Sequence, residues 1–305
     1  MLYLNCLARI APLLWCNLLI LSSLNVQAVE ELATLNFKLL PEASGIAVSR
    51  LNPDRIWFVN DSGNRPQLVA LDYVEGHYST VLLRGIRNRD WEDLASFSYR
   101  GESWLAVADV GDNNGRRKEV YVYLLPEPKP GERRVSVQTK IVITYPDGPR
   151  DVESIAIDSE RQILYLLSKR DKKPRLYRVL LPELHTTAKL ERVAEKLGEV
   201  TSIPPPSPEI LALYPKYGKY RSQPTGMALM PDGSAIAVMT YGGAFLATIT
   251  DDQGWLESLN TSLCRVATPQ LTQSETIAAD SLGRLYISSE GESAPLLRMS
   301  AHCAP

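Results

Sequence analysis

An all-β fold built by internal repetition is predicted by three observations. Five stretches open on a small or acidic pair: Ser44-Gly45-Ile46-Ala47, Glu92-Asp93-Leu94-Ala95, Glu153-Ser154-Ile155-Ala156, Thr225-Gly226-Met227-Ala228 and Glu275-Thr276-Ile277-Ala278. Each is answered about sixteen positions later by a polar closure, at Asp61, Asp109, Lys169, Tyr241 and Glu290. Between and after these lie short runs rich in β-branched and aromatic residues, bounded by Gly, Pro, Asp or Asn. Four antiparallel strands per repeat of about 50 residues is the arithmetic of a propeller blade. The chain is therefore expected to form a single β-propeller of four-stranded blades. Five blades are favoured, and six remain the alternative if the long interval before the fourth opening hides a degenerate blade.

Taken in order, residues 1–28 read as a signal peptide. Arg9 supplies the charge, Ile10 to Leu21 an apolar core too short for a membrane span, and Ser22 to Ala28 the small residues of a cleavage site. Bulky Trp15 argues against a lipoprotein cysteine at Cys16. The expected location is the periplasm or the exterior. Residues 29–305 then form the propeller domain, beginning with Leu32 to Leu40, which has no place in the first repeat and is expected to close the last blade.

Second strands are expected around Ile56-Trp57-Phe58-Val59, Trp104-Leu105-Ala106-Val107, Ile163 to Leu167, Ala235-Ile236-Ala237-Val238 and Leu285-Tyr286-Ile287. Each is continuous enough in apolar residues to be buried on both faces. Third strands follow at Gln67–Leu71, Val120–Leu124, Arg175–Val179, Ala244–Thr248 and Leu296–Met299, and fourth strands in repeats one to four, as at Val135–Ile143 in the second. The Pro-rich insertion at about 203–223 reads as a rigid entry followed by a short helical or irregular excursion, a candidate lid over the channel. Cys264 and Cys303 stay after processing. They are candidates for one disulfide, with two unpaired thiols near a frayed end as the alternative.

In a hairpin the start of one strand lies beside the end of the next, so openings and closures share one face. That register gathers Glu42, Asp90, Glu92, Asp93, Asp151, Glu153 and Glu275 with Asp61, Asp109, Asp112 and Glu290 at one channel mouth. So many carboxylates need a hard cation, raised pKa values or basic neighbours. Calcium suits an all-oxygen set, and its expected ligands are Glu92, Asp93, Asp109, Asp112, Glu153, Glu275 and Glu290. Asp109-Val110-Gly111-Asp112-Asn113-Asn114-Gly115 resembles a calcium loop without the terminal Glu. Glu42, Asp61, Asn113, Arg150, Lys169 and Tyr241 are expected to bind the ligand, and Arg170 is a further basic neighbour. For any single acid, turn capping is the ordinary alternative. Asp54, Asp147, Asp158, Asp232 and Asp280 fall at other turn positions and are assigned no chemistry.

A net charge of -2 with interspersed signs offers no basic face for nucleic acid and no polybasic membrane patch. None of the three histidines falls at a repeat position, so a Ser-His-Asp arrangement would need its base from the rim or the tail. No phosphate loop, HExxH or dinucleotide fingerprint occurs. The expectation is a monomer binding a divalent cation and a small polar ligand or a protein loop. The alternatives are a metal-dependent hydrolase of phosphoesters or lactones, and a protein-interaction scaffold with structural acids.

Glu42-Ala43-Ser44-Gly45-Ile46-Ala47, Asn60-Asp61-Ser62-Gly63, Asp90-Trp91-Glu92-Asp93, Ala108-Asp109-Val110-Gly111-Asp112-Asn113, Asp151-Val152-Glu153-Ser154 and Glu275-Thr276-Ile277-Ala278 resemble an exported bacterial β-propeller family of poorly defined function. Its members are labelled WD40-like or TolB-like and stand near the esterase-like phytase and SdiA-regulated groups. The resemblance spans nearly all of residues 29–305. It implies the propeller fold and little about activity, because fold does not fix function.

Overall fold

The computed structural model describes residues 29–184, 188–250 and 254–304, so the predicted signal peptide lies outside the described residues. Five antiparallel blades form the ring. After β1 (Glu30–Thr34), blade I contains β2 (Ala43–Val48), β3 (Arg55–Asn60), β4 (Gln67–Asp72) and β5 (His77–Arg84). Blade II contains β6 (Trp91–Tyr99), β7 (Glu102–Asp109) and β8 (Val120–Pro126). It is followed by β9 (Arg134–Ser136) and β10 (Thr139–Thr144). Blade III contains β11 (Val152–Asp158), β12 (Ile163–Ser168) and β13 (Arg175–Leu180), followed by β14 (Ala188–Val193) and β15 (Glu195–Glu199). A short helix α1 (Pro208–Leu213) precedes blade IV, which holds β16 (Pro224–Leu229), β17 (Ala235–Thr240) and β18 (Gly243–Thr248). Helix α2 (Trp255–Thr261) leads to its outer strand β19 (Leu263–Arg265), and blade V holds β20 (Ser274–Ala279), β21 (Arg284–Ser289) and β22 (Pro295–Ser300).

The apolar core is divided into five layers, one in each gap between neighbouring blades. Between blades II and III, for example, Phe97, Trp104, Val122 and Ile141 meet Ile155, Leu164, Leu166 and Tyr177. Strands packed on both faces need apolar residues in succession rather than alternation. That is why β2, β12 and β17 are buried at every position.

The ring closes through β1, which pairs antiparallel with β22. It lies earlier than the predicted Leu32–Leu40, because Leu35 and Leu40 leave the sheet to fill the layer between blades V and I. The predicted fourth strand of blade II, Val135–Ile143, divides in two. Its first part, β9, adds to blade I in parallel, and β10 completes blade II. Likewise β14 adds in parallel to blade II before β15 completes blade III. Two blades thus borrow a fifth strand from the next, which ties neighbours together at the rim. The 203–223 insertion holds α1 and one 3-10 turn and adds no blade among the described residues. Cys264 and Cys303 form a disulfide, joining β19 to the C-terminal segment.

A bulge recurs at one position in all five innermost strands. The pairing slips between Ala43 and Gly45, Trp91 and Asp93, Val152 and Ser154, Pro224 and Gly226, and Ser274 and Thr276. The residues passed over are Ser44, Glu92, Glu153, Thr225 and Glu275. A bulge re-aims the extra side chain, and here it holds three glutamates at the start of the channel-lining strands.

Candidate metal centre

The predicted register is realised at the backbone. The amides of Asp61, Lys169 and Glu290 donate to the carbonyls of Glu42, Asp151 and Gln273 at 2.9, 3.0 and 3.1 Å, which sets strand ends beside strand starts. In blade II the counterpart is Gly111, donating to the Asp90 carbonyl at 3.2 Å.

Two carboxylate trios have oxygens lying within 4.8 Å of one another: Asp61, Asp90 and Glu92, and Glu92, Asp151 and Glu153. Glu92 belongs to both. The second trio already has cations, because the Lys169 ammonium bonds Glu153 and the Arg170 guanidinium bonds Asp151. Lys169 also donates to the Tyr241 hydroxyl at 2.7 Å. Arg170 further reaches the Asn113 amide oxygen.

The first trio is different. Among the described residues no basic side chain forms an ion pair with Asp61, Asp90 or Glu92, and Glu92 receives no hydrogen bond although it is only 6 % exposed. Gly111 lies directly against two members of this trio, Asp90 and Glu92. A Cβ there would strike Glu92 Oε1 and stand 2.7 Å from the Asp90 carboxyl. Only the absence of a side chain leaves the carboxylates open.

Burial and the crowding of like charges are visible in the ionisation of the mouth. Burial, with Asp61 and Asp151 nearby and Arg117 only partly offsetting them, raises the Asp90 pKa to about 6. Burial and the charges of Asp61 and Glu42 raise Glu290 to about 7. Burial with Glu153, Asp61 and Asp90 pushes Glu92 well above the carboxylate range. Burial with Glu153 does the same to Glu275. Burial works against the Lys169 ammonium, but Glu153, Glu275 and Tyr241 outweigh it and hold the group charged.

Several expected ligands are engaged elsewhere. Asp93 is fully buried and accepts the amides of Leu94, Ile155 and Met227 at 2.8, 2.7 and 3.4 Å. It bolts blades II, III and IV together inside the channel. Asp109 pairs with Trp91 across the ladder, the place held by Asn60, Ser168, Thr240 and Ser289 in the other blades. The closure in blade II therefore stands one residue too early: Val110 follows the last ladder pair as Asp61 does in blade I, and an extra residue passes before the Gly111 amide makes the closing bond. Asp109 instead binds Arg117 at 2.8 Å. Asp112 accepts the amides of Arg116 and Arg117, and the carbonyls of Asp109 and Gly111 accept from the Arg117 side chain. The 109–115 segment is an arginine-filled turn, and the carboxylates of Asp109 and Asp112 are both engaged within it. Arg150 turns away to Asp147 and Asp171. Asp147, assigned no chemistry, is the hub of a rim network with Arg150, Arg175, Lys196 and Tyr177. Glu42 sits at the edge, bonded to Asn64, and Gln273 donates to Glu290 at 3.0 Å.

Sequence reasoning missed the role of Gly111, whose only signal is a glycine next to the closing position. It also missed Glu127, a buried carboxylate between two prolines that accepts from Ser49, Trp57 and Ser103 and ties blade I to blade II. Nothing in its local sequence marks it.

No family model matches the chain, and no curated protein matches it. Among solved structures the chain is similar to a PQQ-bound aldose sugar dehydrogenase from Streptomyces coelicolor, with 10% identity, 90% of this chain and 98% of that one covered, and a TM-score of 0.45. A luciferin-regenerating enzyme gives 10% identity, coverage of 90% and 95%, and a TM-score of 0.46. The gluconolactonase XC5397 from Xanthomonas campestris gives 13%, 84% and 72%, and 0.46. At such identity and superposition these likenesses assign no role to any residue of the mouth.

Proposed function

We propose that this chain is an exported cation-binding propeller. In this reading it holds one divalent metal ion, calcium, between Asp61, Asp90 and Glu92, and uses it to retain a small polar ligand or a protein loop at the mouth. The observation that carries this reading is the buried Glu92 carboxylate, which among the described residues has neither a hydrogen bond nor an ion pair, in a trio that forms no salt bridge there. Three carboxylates supply part of the six to eight oxygens calcium takes, and the open mouth leaves the rest to ligand or water. The oxygen-only donor set and its exposed side suit a flexible coordination sphere better than a rigid octahedral one. Lys169 confines the ion to the first trio by neutralising the second. The leader-like N-terminus and the Cys264–Cys303 disulfide support an oxidising compartment. Among the described residues no helix is long and apolar enough to cross a membrane.

Calorimetric titration of the protein with calcium at pH 7.5 tests the reading. One ion per chain is expected, with binding lost in Glu92→Gln and Asp90→Asn. Absence of binding at millimolar calcium, or undiminished binding in both variants, would sink it.

A second reading, hydrolysis of a phosphoester or lactone, is favoured by Glu290. A carboxyl group with a pKa of about 7 at the edge of the mouth is poised to take a proton from water near neutral pH. When bound, the ion would supply positive charge to polarise the substrate oxygen. Turnover that vanishes with chelator and in Glu290→Gln would favour this reading over binding alone.

A further inference from the structure

The 207–221 excursion is a preformed knob. Ser207 caps α1 through its hydroxyl, and amide bonds run from Tyr214 to Ile210, Gly218 to Tyr214 and Arg221 to Gly218. Gly218 closes the turn so tightly that a Cβ would lie 2.9 Å from the Ile210 carbonyl. It leads directly into β16, whose start lies at the mouth, and Arg221 packs its carbonyl on Gly242 beside Tyr241. The knob therefore stands on the mouth face.

Its outward surface has the wrong polarity for water. No residue of α1 is buried, and Leu211, Leu213, Tyr214 and Tyr217 are 43, 66, 39 and 61 % exposed. Large apolar side chains scattered singly are ordinary, whereas a cluster on a protruding element marks a contact surface. Lys216 stands among them and Lys219 and Arg221 follow, against one acid in the segment, Glu209. Each cation lies over a tyrosine ring: Lys216 on Tyr217, Lys219 on Tyr220 and Arg221 on Tyr214, at 4.8, 4.9 and 5.5 Å.

We infer that this knob docks on the surface of an anionic lipid bilayer. Four side chains on one projection fall well short of the roughly 800 Å² per partner that a stable protein interface covers. They are enough for the interfacial zone of a membrane, where leucine and tyrosine enter and basic side chains remain among the headgroups. Chain-wide charge concealed this, because the basic residues alternate with tyrosines instead of forming a run.

Co-sedimentation of the protein with vesicles of phosphatidylglycerol and phosphatidylcholine, against vesicles of phosphatidylcholine alone, provides the test. Binding to the first and not the second is expected. The triple variant Leu211→Ser, Leu213→Ser, Tyr217→Ser should abolish it. The variant Lys216→Glu, Lys219→Glu should weaken it on the order of tenfold or more, since each basic group near the surface contributes about 1 kcal/mol. All these side chains are exposed, so melting temperatures should match the parent and exclude misfolding. Binding to neither vesicle, or equal sedimentation of the triple variant, overturns the proposal. Competition by soluble glycerol phosphate overturns it in favour of a free-phosphate site. Binding to polyglutamate but not to vesicles overturns it in favour of an acidic protein surface.

Discussion

Asp90, with a pKa of about 6, couples the mouth to pH in a defined direction. A carboxyl group whose pKa is raised by folding stabilises the native state fully below its unfolded value, near 4, and that contribution disappears as pH rises through the folded value. Glu290 acts in the same sense up to about pH 7. The calcium-free protein should therefore lose melting temperature between pH 4.5 and 8. Calcium should restore it at pH 8 and do little at pH 5, where protons occupy the carboxylates. A calcium-induced shift of equal size at both values would refute this linkage. Lys169 gives a second prediction at this scale. Lys169→Met leaves Glu153 buried without its partner, and removing one member of a buried pair typically costs about 3–5 kcal/mol. Denaturant unfolding should register that loss, and Glu153→Gln in the same chain should recover part of it.

The elements explain which parts of the site were legible. The five openings were readable because a bulge needs one residue at a fixed place in every inner strand, and the repeat preserves that place in Ser44, Glu92, Glu153, Thr225 and Glu275. Asp109 was misplaced because an aspartate at a strand end looks alike on either face, and a single-residue slip turns a side chain from one face to the other. Borrowed strands such as β9 and β14 were invisible. Their partners lie in the preceding blade, and no local pattern records a parallel addition. The glycines of the mouth yield contrasting predictions. At Gly45 a Cβ would lie 2.6 Å from the backbone of Asp93 and Leu94, so Gly45→Ala must separate blades I and II and lower the melting temperature. At Gly111 the obstacle is carboxylate side chains, which can swing aside. Gly111→Ala should keep the parent's melting temperature while losing calcium binding in the same titration.

The whole ring depends on its seam. Blade V is completed only by β1, and the Cys264–Cys303 disulfide holds the chain's end against blade IV across 39 residues. By loop-closure entropy a bridge of that span contributes on the order of 4 kcal/mol. Thermal unfolding of Cys264→Ser, Cys303→Ser should show a reduced melting temperature, and calcium binding to the folded variant should be unchanged because the mouth lies in other elements. The ring was legible as a whole because its repeat is regular in length. The prolines before blade IV mark an excursion in the sequence, but how its side chains are presented is not legible there, since exposure is a property of the assembled surface.

Asp93 lies across the ring's axis, held by amides from three blades, and Gly45 packs backbone to backbone beside it. These contacts narrow the passage, and further along the same inner strands Ile46, Leu94, Ala156, Met227 and Ile277 line a cavity of about 80 Å³. A guest held above this constriction arrives and departs by the mouth. Narrowing that doorway with a bulkier rim residue slows entry and exit by the same factor, so exchange becomes sluggish while the dissociation constant stays where it was.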